Sequence, residues 1–266
     1  MKTWGKLFLL AVLCVFFTGC VRFHVLIKLQ ESGGGQLFLR CLLSESLDDG
    51  KNTTISDEEI DEFTATLGEG VRLVERTKLD KKGWKGFTLH YEFDDINKLR
   101  LPIHEFSEIN SDDGDEDNGA LSFAESGPWR FRYVPGVDKV IAFHEQEERN
   151  KTNDEDPFAE AGVDLPNAPE ADFGSALAVG FLKPMLQEAR FTVTLQVGEN
   201  IVETNAPAKP TPRSVHLFDA DLKKFANSKE FEAAIIGKWT IEKLIREKVD
   251  GIHGLPSDKE ITVKFE

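Results

Sequence analysis

The chain has 266 residues, with 47 Asp and Glu against 32 Lys and Arg, a formal charge of −15 and a pI near 4.9. That balance excludes the broad basic face that nucleic-acid binding requires. With 40% hydrophobic residues and 20 Phe the chain is apolar enough to build a core, and three Cys are too few for a disulfide framework.

Residues 1–19 read as a secretory signal peptide: Lys2 and Lys6 open it, an apolar run follows from Leu7 to Phe17, and Thr18-Gly19 forms a small-residue exit before Cys20. The run is too short to span a bilayer comfortably, since a spanning helix needs about 20 apolar residues. Removing residues 1–19 takes two Lys and no acid, so the formal charge moves from −15 to −17. Cys14 leaves with that segment. Cys41 shares the phase of Leu37, Leu39 and Leu43, which makes it a small buried hydrophobe.

From Val21, apolar residues recur at every second position through Phe23, Val25, Ile27 and Leu29, and a second alternating run covers Leu37 to Leu43. Gly33-Gly34-Gly35 between them predicts a hairpin turn. Ser56 with Glu59 forms a capping box that opens a helix over 57–68 carrying Ile60, Phe63 and Leu67. Val71–Leu79 and Phe87–Phe93 predict a second hairpin across a Lys-Lys-Gly turn, followed by short strands at 121–124 and 129–133. In the latter, Trp129, Phe131 and Tyr133 form a core-facing row with Arg130 and Arg132 on the back.

Between Glu145 and Asp172 lie ten acidic residues against two basic ones, interrupted by Pro157, Pro166 and Pro169; this is a solvated loop. The uncharged run Phe173–Leu182 predicts a helix over 173–188 that covers the sheet. Phe191–Val197 and Val215–Leu217 are strands, 229–248 is a helix, and Ile261–Phe265 is a last strand. The expected fold class is therefore α+β, an antiparallel sheet built from hairpins and covered by a few helices. The domain plan is a signal peptide at 1–19, an ectodomain at 20–222, and a C-terminal helix and strand at 223–266 packed on the same domain.

Two family resemblances follow from these residues. Phe17-Thr18-Gly19-Cys20 resembles the lipobox of bacterial lipoproteins, which implies lipid modification at Cys20. The order of parts resembles the LppM-like family of bacterial lipoproteins. The carrying features are a lipobox Cys before a hairpin, a capped helix, Trp84-Lys85-Gly86-Phe87 entering a strand, and Val197-Gly198-Glu199 leading to Glu203-Thr204-Asn205. The resemblance covers roughly residues 20–220. It implies a lipid-anchored α+β ectodomain in contact with lipid or another envelope component, held on the cell or outer membrane and facing the periplasm or exterior, and it supplies no catalytic residue.

Candidate chemistry is sparse. Asp113, Asp115 and Asp117 alternate in an acidic segment and are calcium-ligand candidates, because a tight loop aims alternate carboxylates at one hard cation. Gly119 and Glu125 each fall one position late for an EF-hand loop, which favours a charged solvated loop instead. The six His show no metal-ligand spacing, and His24 and His90 fall on the polar sides of their strands. No nucleophile elbow or phosphate loop occurs in the sequence, and no cofactor is implied. The expected role is a non-enzymatic binding or structural one, with lipid binding or an unseen enzyme site as alternatives.

Overall fold

A computed structural model describes residues 21–44, 56–81, 83–102, 128–145, 183, 186–236, 239–254, 256 and 259–266. Four strands form the first half of the chain: β1 (Val21–Leu29), β2 (Gly35–Ser44), β3 (Val71–Lys81) and β4 (Trp84–Phe93), with helix α1 (Asp57–Thr66) between β2 and β3. The capping box at Ser56 and Glu59 is present in both directions, which satisfies two amide donors at the start of α1. A single 3-10 turn at Ile96–Lys98 leads to β5 (Arg100–Leu101). Then come β6 (Trp129–Val134), β7 (Lys139–His144), β8 (Arg190–Gln196), β9 (Ile201–Thr204), β10 (Ala208–Thr211) and β11 (Ser214–Asp221). Short helices α2 (Leu222–Ala226), α3 (Phe231–Ile236) and α4 (Ile241–Arg246) precede β12 (Ile252–His253) and β13 (Ile261–Phe265).

The first sheet has the order β10-β11-β8-β1-β2-β4-β3, with β12 on β11, and the second has the order β5-β6-β7-β13-β9. All pairs are antiparallel except β1 with β8, which run parallel from Arg22↔Arg190 to Lys28↔Gln196. One core row crosses five strands of the first sheet: Val215, Leu195, Ile27, Leu37 and Tyr91 are cross-strand partners and each is 0% exposed. Burying a side chain of this size stabilises by about 2 kcal/mol, so such rows hold the sheet in register. The core is continuous through both sheets and the C-terminal helices, and Tyr133 of β6 stacks on Phe265 of β13 with ring centroids 6.4 Å apart.

The α+β expectation is corrected: the described chain is mainly β, with thirteen strands and only short helices. The expected helix at 229–248 breaks into α3 and α4, because Thr240 caps a fresh helix by accepting from the Lys243 amide at 3.2 Å. A continuous helix of that length would have covered the sheet; two short pieces form instead, with Phe231, Ala234, Ile241 and Leu244 buried in the core. The helix expected at 173–188 lies mostly outside the described residues, as does the strand at 121–124. The sheet is also not built from hairpins alone, since the parallel β1–β8 pair joins segments far apart in sequence. β7, β9, β10 and β12 were not anticipated, and β13 enters the middle of a second sheet that the sequence reading did not separate from the first.

The two family-like segments have structural roles. Val197–Asn200 carries the chain from β8 of the first sheet to β9 of the second. Thr204 Oγ1 then donates to the Thr262 carbonyl at 2.8 Å, Asn205 Nδ2 donates to the Glu260 carbonyl at 2.9 Å, and the Thr262 amide donates to Asn205 Oδ1 at 2.7 Å. These bonds clip β13 to the end of β9.

Gly35 sits where the first hairpin meets the end of β4. A Cβ there would run into the Lys28 carbonyl oxygen and the Phe93 ring. Gly35→Ala is expected to lower unfolding free energy by about 2 kcal/mol or more, as overpacking against backbone does, and urea denaturation measures it. Asn205→Ala removes both bonds of its amide to β13 and is expected to cost about 1 kcal/mol in the same assay.

Candidate functional site

The two faces of the first sheet differ in chemistry. On the face opposite the core, one cross-strand row runs Asp219, Thr192, His24, Arg40 and Thr88 through β11, β8, β1, β2 and β4. Strand alternation puts His24 and Arg40 there: their neighbours Phe23, Val25 and Leu39 are buried in the core. Asp219 reaches this face through a β-bulge. His216 pairs with Thr194 and Phe218 pairs with Val193, so Leu217 is the extra residue, and both Leu217 and Phe218 are buried. Residues three apart on a regular strand point to opposite faces; the bulge brings His216 and Asp219 to the same one.

The side chains along this face are tied to one another. His24 Nδ1 and Thr192 Oγ1 share a hydrogen bond of 2.6 Å, and Thr194 Oγ1 shares one of 3.0 Å with His216 Nδ1. Arg190 grips Asp219 with two parallel bonds of 3.1 Å each, Nε to Oδ1 and Nη2 to Oδ2. The guanidinium stays charged there, because the Asp219 carboxylate raises its pKa further. Phe38 stacks on His90 at 4.4 Å with planes 8° apart, and Lys28 sits 4.8 Å over the Phe38 ring. At the Val21 end of the sheet, the Arg22 guanidinium lies 4.1 Å over the Trp84 ring.

Burial lowers the pKa of His24 below the ordinary histidine value, and the charges of Arg190, Arg40 and Arg22 lower it further against a small opposing effect of Asp219. His216 is lowered too, mainly by burial. Both imidazoles are therefore neutral at pH 7. Cys41 is packed against the core and burial pushes its thiol up to about 11, so it is a neutral hydrophobe and not a nucleophile.

Of the residues singled out from sequence, Cys20, Asp113, Asp115 and Asp117 all lie outside the described residues. His24 and His90 do fall on the non-core face, joined there by His216, but each is half-buried rather than freely solvated. Trp129, Phe131 and Tyr133 are buried, while Arg132 on the back of β6 is exposed. Among the described residues no three His, Cys, Asp or Glu side chains come together as a metal site. Sequence reasoning missed Arg40, Thr88, Thr192, Arg190 and Asp219 as neighbours. The consecutive apolar pair Leu217-Phe218 was the signal for the bulge, and nothing local reports the parallel partner of β1.

A shallow open cleft of about 270 Å³ lies at the edge of this face, lined by Gln30, Ser32, Gln36, Arg72, Glu92 and Asp94 among others. Its cation is already satisfied, since Arg72 donates to Glu92 and Asp94 at 3.0 Å each.

No protein-family model matches the chain, and no curated protein matches it. Among solved structures, the chain is similar to the folded domain of LppM from Mycobacterium tuberculosis, determined by NMR. The alignment covers 94% of this chain and 91% of that one, with a TM-score of 0.35 and 9% identity. At that score the likeness carries no residue role and no activity from one chain to the other.

The histidine shifts set a pH dependence. Each His is depressed in the folded state, so its contribution to stability is complete above the unfolded value of about 6.5 and is lost as pH falls through the lower folded value. Stability measured by urea denaturation is expected to fall between pH 7.5 and pH 5. In a variant carrying both His24→Gln and His216→Gln, the difference between the two pH values shrinks.

Proposed function

We propose that this chain is a lipid-anchored envelope protein of a bacterium, acylated at Cys20, with a binding or structural role and no catalytic one. The observation that carries the reading is the start of the fold. β1 begins at Val21, the residue after Cys20, and its side chains Phe23, Val25 and Ile27 are already in the core. No spacer separates the lipid from the sheet, so the Val21 end of β1, with Arg22 stacked on Trp84, lies beside the bilayer.

The anchor fits the charge. A mature chain of −17 is repelled from an anionic leaflet, and apolar acyl chains supply the attraction its surface lacks, at about 0.8 kcal/mol per buried CH₂. More than one chain is needed for stable attachment. Among the described residues no helix is long and apolar enough to cross a membrane. The non-catalytic part of the reading is supported by the pairing within the polar row, where Asp219 is taken up by Arg190, His24 by Thr192 and His216 by Thr194.

Mass spectrometry of the mature N-terminus tests this. Acyl mass on Cys20 is expected in the wild type, and Cys20→Ser is expected to lose it and to leave the membrane fraction. A wild-type protein without acyl mass overturns the reading.

A further inference from the structure

The non-core face of the first sheet carries Arg22, Lys28, Arg40 and Arg190, beside the acids Asp219 and Asp221, in a chain whose formal charge is −15. Arg22 and Arg190 are direct partners on the parallel ladder, and His24 is the direct partner of Arg40. Cross-strand like charges destabilise a sheet, and the Arg22–Arg190 pair is offset by Asp219, by Asp221, the cross-strand partner of Arg190 on β11, and by Glu188. Two of the three guanidinia have partial compensation: Asp219 holds Arg190 tightly, while Glu188 reaches Arg22 only at 3.9 Å. Arg40 has none among the described residues, and it is exposed.

A second observation points to the same place. Thr88, the direct partner of Arg40 on β4, has a buried hydroxyl with no hydrogen-bond partner, and His90 Nε2, two residues on, is likewise buried and unpaired. Buried polar atoms without partners are rare and costly, and here they border Arg40, an exposed guanidinium with no ion pair among the described residues.

We infer that Arg40, with Arg22, His24 and Thr88 around it, forms a binding site for a phosphate-bearing anion. A phosphate presents several acceptor oxygens and up to two negative charges, which matches a planar guanidinium fork flanked by a second guanidinium, an imidazole and a hydroxyl. Thr192 holds His24 by Nδ1, which leaves Nε2 as the ring nitrogen available to the ligand. Bound anion also favours protonated His24, against the combined effect of Arg22, Arg40 and Arg190 and with that of Asp219. The inference does not depend on acylation at Cys20.

Calorimetry and vesicle flotation with the full chain test it, using two probes: inorganic phosphate at constant ionic strength, and phosphatidylglycerol vesicles with phosphatidylcholine vesicles as control. Saturable phosphate binding that weakens at least tenfold in Arg40→Gln, and is unchanged in Arg213→Gln, supports a site for free phosphate. Selective flotation with phosphatidylglycerol that Arg40→Gln abolishes, without binding of inorganic phosphate, supports the same site with a lipid headgroup as the source. Because Arg40 is exposed and holds no ion pair among the described residues, its substitution leaves the fold intact, which circular dichroism checks. Absence of binding to both probes, or binding insensitive to Arg40→Gln, overturns the inference.

Discussion

The parallel ladder between β1 and β8 is the constraint on which the rest of the molecule depends. Within the first sheet it joins the strands of residues 21–93 to β8, β10, β11 and β12, and its seven register pairs place Val25 against Val193 and Ile27 against Leu195 in the core. Without it, β1 would be an edge strand with Phe23, Val25, Ile27 and Leu29 aligned along an open flank, a template for aggregation. The same ladder has a polar side. By bringing Arg22 beside Arg190 and Thr192 beside His24, it creates the electrostatic arrangement of the outer face as an unavoidable consequence of its register.

That coupling explains how a mostly acidic protein brings Arg22, His24 and Arg190 together on one face. The excess of acid over base lies largely in residues 105–125, with eight acidic and no basic residues, and 145–172, with ten acidic and two basic, whereas the rest of the chain is closer to balance. On the sheet, paired charges are local: Arg72 with Glu92 and Asp94, Arg190 with Asp219, and Glu145 with Arg100 and Arg130. Exposed pairs of this kind contribute little to stability, so their value lies in fixing side-chain positions on strands that are otherwise uniform.

Local features of the fold were legible in the sequence and its long-range features were not. The alternation of Val21–Leu29 and Leu37–Leu43, the triglycine turn, the capping box at Ser56 and Glu59 and the strand at Phe191–Val197 each depend on neighbours in the chain. The parallel pairing, the second sheet and the bulge at Leu217 depend on partners elsewhere, and period-2 alternation has no memory of which strand lies alongside. The fold class erred for the same reason: helical spacing in 229–248 is real, but Thr240 restarts the helix, and a mainly-β chain results. Of the outer face, His24 and His90 could be assigned a side from alternation alone. Their company could not, because Arg40, Thr88, Thr192 and Asp219 meet only through four different strand pairings.

The position of β13 has a kinetic meaning. It lies between β7 and β9, so neither neighbour can complete its hydrogen bonding until residues 261–265 have been synthesised and delivered. The first hairpins close over short loops, while the second sheet waits for a segment far along the chain, and such non-local contacts are slow to form. During that wait Val140, Ala142 and Ile201, buried in the finished protein, have no strand to cover them. The Thr204 and Asn205 side chains, which grasp the backbone of Glu260 and Thr262, are then best understood as the latch that holds the last-arriving strand in register once it docks.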